Sequence, residues 1–73
     1  MSNKPVHTIR QGNIEAAIWK NETGHGLFFS TTFTRRYREG TDFKNATNFG
    51  QADLLRIARL AHLAEAWIDV QQS

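Results

Sequence analysis

The stretch NFGQADLLRIARLAHLAEAWIDV, residues 48 to 70, constrains this chain more than any other. It reads as one long amphipathic helix. No Pro interrupts it, and its Ala and Leu content suits a helix. Asn48 has the chemistry of an N-cap, because its side-chain oxygen can accept a bond from an unpaired amide of the first turn. Gln51 stands three residues on, the spacing of a capping box. Asp53 adds negative charge near the positive end of the helix dipole. At about 100° per residue, Leu54, Ile57, Ala58, Leu60, Ala61, Ala64, Trp67 and Ile68 share one broad face. Arg59, His62 and Asp69 lie opposite. Leu55, Leu63 and Ala66 form a weaker second stripe, suited to a subunit contact or to ordinary surface exposure.

What precedes the helix reads as strand and turn. Residues 1–5 are polar, end in Pro5 and are expected to fray. A first strand is expected over residues 6–10, then a Gln11-Gly12-Asn13 turn. A second follows over residues 14–20, with Ile14, Ala16 and Ile18 on one face and Glu15, Ala17 and Trp19 on the other. Residues 21–26, NETGHG, read as a polar loop. Residues 27–37 form the longest expected strand, with Leu27, Phe29, Phe33 and Tyr37 on one face and Phe28, Thr32, Thr34 and Arg36 on the other. Arg38 to Thr41 is a turn, and a short last strand over 42–47 carries Phe43 and Lys44. Connections this short imply an antiparallel meander, since parallel pairs need crossovers of a dozen or more residues. The expected fold is therefore α+β: a single domain over residues 1–73, with an antiparallel meander of three to four strands over 6–47. One long C-terminal helix packs on one face of it. Ile14, Ala16, Ile18, Leu27, Phe29 and Phe33 are its expected partners.

A chain of 73 residues buries only about 60% of its unfolded surface, which leaves little stability in reserve. It has no Cys, hence neither a disulfide nor a thiolate metal site. Self-association, as a homodimer, is the expected source of further burial. The first residues carry no apolar run of signal-peptide length, and no stretch approaches the roughly 20 apolar residues of a membrane span. A cytoplasmic protein without a membrane partner is expected.

The chemistry of known active sites is absent from the pattern. His7, His25 and His62 lack metal-ligand spacing. Gly24-His25-Gly26 is too short to cradle a phosphate and precedes a strand, not a helix. Ser30 has no nucleophile-elbow context, and the carboxylates form no acid/base pair. No enzyme, no cofactor, no metal and no small-molecule substrate are expected.

Charge points elsewhere. Residues 1–47 hold seven Lys or Arg against four Asp or Glu, a balance of +3, while residues 48–73 stand at −1. The face away from the helix combines aromatic and basic side chains, the chemistry that single-stranded nucleic acid needs: rings stack on bases, and cations track phosphates. Trp19, Lys20, Arg36, Arg38 and Lys44 are the candidate contacts. Trp19 and Phe28 have three open fates: burial in a dimer, base stacking, or partial exposure with no role. A protein-interaction or regulatory module without nucleic acid is the other function class.

Two resemblances bear on this reading. Ile9 to Gly12 (I-R-x-G), Ile18 to Glu22 (I-W-x-N-E), Thr34 to Tyr37 (T-R-R-Y) and Phe43 to Phe49 (F-K-N-A-T-N-F), with D-L-L and W-I in the helix, resemble a family of short uncharacterised prokaryotic proteins. That resemblance spans nearly the whole chain and implies a compact stand-alone protein. Four strands followed by one helix is also similar to the transcriptional coactivator fold called positive cofactor four and its bacterial relatives. That resemblance, of element order, implies a homodimer that binds single-stranded DNA across paired β-ribbons in a transcription-related role.

Overall fold

A computed structural model describes residues 4–72. Most of the expected frayed start, residues 1–3, lies outside the described residues. Strands β1 (His7–Gln11), β2 (Ile14–Thr23), β3 (Gly26–Glu39) and β4 (Asp42–Ala46) precede helix α1 (Gln51–Gln72). The strands form one four-stranded antiparallel sheet in the order β1-β2-β3-β4. This is the expected α+β meander with one C-terminal helix.

Every connection within the sheet is a two-residue turn, because Gln11 pairs with Ile14, Thr23 with Gly26 and Glu39 with Asp42. Gly12 and Gly40 take φ of 62° and 66°, while among the described residues no non-glycine residue has positive φ. A Gly at the first central position is what a type II′ hairpin turn requires. The expected loop over 21–26 is mostly ladder: Asn21 and Glu22 pair with Phe28 and Leu27. Its polar side chains close the hairpin. The Asn21 amide donates to the Ser30 hydroxyl at 3.0 Å, and the His25 amide donates to Thr23 Oγ1 at 3.1 Å.

Alternation sends Ile14, Ala16 and Ile18 to the helix side, and all three are fully buried. Leu60 closes on Ile14 and Ala16, with Ile9, Phe33, Phe49 and Ile57 packed around them. Of the other expected partners, Phe29 meets Trp67 edge-on at 6.0 Å. Leu27 is 48% exposed.

The helix differs from expectation at its start and across its face. It begins at Gln51, not at Asn48. The cap is Gly50, whose amide donates to Asp53 Oδ2 at 3.0 Å; glycine has no side chain to return the bond, so one half of a capping box forms, two residues later than Asn48 and Gln51 would place it. Phe49 packs on the core immediately before that cap. The expected broad stripe is also narrower. Leu60 and Ala64 are buried, Ile57, Trp67 and Ile68 are partly buried, and Leu54, Ala58 and Ala61 are exposed. The reason is lateral placement: α1 lies over β1 and β2 and reaches β3 with little of its surface. Two clamps of different chemistry hold it there. Near its start, Arg35 Nε donates to the Asn48 carbonyl at 3.3 Å and stands 3.8 Å from Asp53. Near its end, the Trp67 ring stacks on His7 at 4.7 Å with the planes 1° apart.

Candidate functional site

The register assigns every strand residue to a face. Opposite the helix stand Thr8 and Arg10 of β1, Glu15, Ala17, Trp19 and Asn21 of β2, even-numbered residues 28–38 of β3, and Phe43 and Asn45 of β4. None of them is buried. This open face carries Arg10, Arg36 and Arg38 against Glu15 alone, a net of +2. The helix-side face of the same strands balances Lys20, Arg35 and Lys44 against Glu22, Glu39 and Asp42. The sheet's net positive charge therefore falls on the open face.

The open face has two ends. At one, Trp19 lies opposite Ser30 and its indole N–H donates to Thr32 Oγ1 at 3.0 Å, so the side chain spans from β2 to β3. Phe28, half-exposed, lies beyond it. At the other end, Phe43 is 65% exposed between two guanidinium groups, with Arg36 at 5.5 Å and Arg38 at 6.0 Å from its ring centre. Arg36 and Arg38 have no carboxylate partner among the described residues, whereas Arg10 bonds Glu15 at 2.7 Å. Arg38 is oriented by a bond from Nε to the Gly40 carbonyl at 3.0 Å. These side chains, with Asn13, Thr34 and Asn45, line a concavity of about 590 Å³. Six residues separate Ser30 from Arg36, so Trp19 and the arginine cluster stand roughly 20 Å apart along the strands.

The structure brings together Arg36 and Arg38 on the face that also holds Trp19. It puts Lys20 and Lys44 on the other face: Lys20 pairs with Phe29 and Lys44 with Tyr37, both helix-side residues. Lys44 Nζ lies 3.4 Å from Glu39. Arg10 and Phe43 join the open face without having been marked by their sequence context. Both depend on register, and the Gly40-Thr41 hairpin, which sets Phe43 against Arg38, is the signal that could have found Phe43.

The three histidines do not converge: His7 stacks on Trp67, His25 occupies a turn and His62 is exposed on α1. Among the described residues no group of three His, Cys, Asp or Glu could hold a metal ion. No helix among them is long and apolar enough to cross a membrane. No protein-family model, curated protein or solved structure matches the chain.

Proposed function

We propose that the open sheet face is a binding surface for single-stranded nucleic acid, DNA or RNA, and that the chain is a binding module, not an enzyme. The observation that carries this reading is the segregation of charge. Arg36 and Arg38 stand over the exposed ring of Phe43 on the face that has no packing role and a net charge of +2, while the helix-side face is neutral. A phosphate suits Arg36 and Arg38, and a base suits the ring of Phe43 or Trp19. A transcription-related role, as the likeness in element order implies, and a cytoplasmic location belong to the same proposal.

The proposal includes a homodimer. Among the described residues the core holds five buried side chains, while Leu27, Phe28, Leu54, Leu55 and Phe43 stand 48% or more exposed. Sedimentation should give a mass near twice 8.3 kDa. A species that stays monomeric at high micromolar concentration would refute the dimer.

Fluorescence anisotropy with a single-stranded oligonucleotide at several salt concentrations tests the function. Two to three phosphate contacts give a slope of log K against log salt of about −1.4 to −2.1. Absence of binding to single- or double-stranded oligonucleotides at low salt would end the nucleic-acid reading.

A further inference from the structure

β3 has one long unpaired edge. It pairs with β2 from Gly26 to Arg35, but with β4 only from Arg35 to Glu39. The edge facing β4 is thus without a strand partner over residues 26–34, nine residues, among the described residues. The backbone groups on it can be identified. Arg36 donates its amide to the Asn13 carbonyl of the β2 side. Alternation along an antiparallel ladder then directs the even-numbered residues to β2 and turns the N–H and C=O of Leu27, Phe29, Thr31 and Phe33 outward.

The composition of this edge is as distinctive as its geometry. Residues 26–34, GLFFSTTFT, contain no ionised side chain and no Pro. Every other edge is charged: Arg10 on β1, Lys20 and Glu22 on the uncovered end of β2, Asp42 and Lys44 on β4. Exposed edges ordinarily carry charge, Pro or a bulge, because bare N–H and C=O groups recruit another strand. The paired remainder of β3, Arg35 to Glu39, is almost wholly charged, so the uncharged run ends where β4 begins.

We infer that the occupant of this edge is the same edge of a second copy, joined antiparallel with Ser30 facing Ser30 across the two-fold axis. This inference rests on the homodimer proposed above and specifies its interface. The register follows from the outward groups. With Ser30 on the axis, Leu27 meets Phe33 of the second copy and Phe29 meets its Thr31. Every outward-facing residue then finds an outward-facing partner, for about eight new backbone hydrogen bonds. A shift of the axis to Thr31 would set Leu27 against Arg35, which β4 already pairs. An isologous contact of this kind closes after two copies and leaves no edge to propagate. It also joins the two open faces. The two Trp19 side chains flank the axis at the level of Ser30. The two arginine clusters stand at opposite ends, each roughly 20 Å away, about 40 Å apart in all.

Cysteine substitution tests the interface in a chain that has no native Cys. Facing residues of a non-hydrogen-bonded antiparallel pair have Cα atoms about 4.5 Å apart, within disulfide range. S30C should cross-link rapidly under mild oxidation, and L55C, at a site 83% exposed on α1, should not. Thr31→Pro removes an outward amide without touching the β2 ladder, and should halve the sedimenting mass while circular dichroism stays native. If Thr31→Pro does not fold, the S30C rate decides. A wild-type dimer whose S30C variant cross-links no faster than L55C overturns the edge pairing and leaves the homodimer standing on another surface. A wild-type monomer overturns both, including the case in which a different protein's strand fills the edge. Oligonucleotide binding is read separately, so the nucleic-acid reading stands or falls on its own measurement.

Discussion

Leu60 and Leu54 sit six residues apart on one helix, and periodicity alone assigns both to its apolar face. The structure separates them. Leu60 is fully buried against Ile14 and Ala16, whereas Leu54 is 55% exposed. Leu60→Ala removes buried methyl groups and leaves a cavity among Ile9, Phe33 and Ile57, which costs about 2–5 kcal/mol. A chain of this length has a total stability of about 4–11 kcal/mol, so the loss is a large share of the whole. At about 4–8 °C per kcal/mol for a small domain, a 3 kcal/mol loss lowers Tm by about 12–24 °C. Leu54→Ala removes the same atoms from a side chain that is already half in water, and costs less than about 1 kcal/mol. The assay is thermal and urea denaturation of both variants by circular dichroism at one dilute concentration. Equal losses for the two variants would refute the placement of α1 over β1 and β2.

Arg36→Ala should weaken single-strand binding and flatten the salt dependence by about one phosphate contact, while Lys44→Ala, on the other face, should leave the anisotropy titration unchanged. Gly12→Ala should destabilise the domain by about 1–2 kcal/mol in urea, because L-residues resist the left-handed region that its φ of 62° occupies. The added Cβ would also stand 3.1 Å from Arg56 Nη1. Asp53→Ala should cost about 0.5–2 kcal/mol through loss of both its bond to the Gly50 amide and its approach to Arg35, with thermal melts as the measure; an unchanged Tm would show that neither carries weight.

The fold was legible because period 2 gives way to period 3.6 once, near residue 48, and because Gly marks every turn. What was hidden followed from placement. Helical spacing treats Leu54 and Leu60 alike; the Arg35 clamp and the Trp67–His7 stack decide which side of α1 meets the sheet. Asn48 with Gln51 and Gly50 with Asp53 both have capping spacing, and the second is used, directly after Phe49 has packed on the core. In the candidate site, alternation along β3 correctly groups Arg36 with Arg38. It cannot place Lys44, whose face depends on its pairing with Tyr37 across a hairpin. Arg10 and Phe43 were missed for the same reason: each acquires its neighbours only through a partner strand.

The two-residue turns also bear on how the chain reaches this structure. Each hairpin closes locally, an event of microseconds, so the meander needs no long-range search. Yet the meander by itself has no second layer. Until α1 arrives, Ile14, Ala16 and Ile18 remain wet, and isolated hairpins are marginal in water. The segment that completes the core, α1, leaves the ribosome after all four strands. Sheet and helix therefore become stable in one cooperative step, and the uncharged run GLFFSTTFT is synthesised well before anything can shelter it.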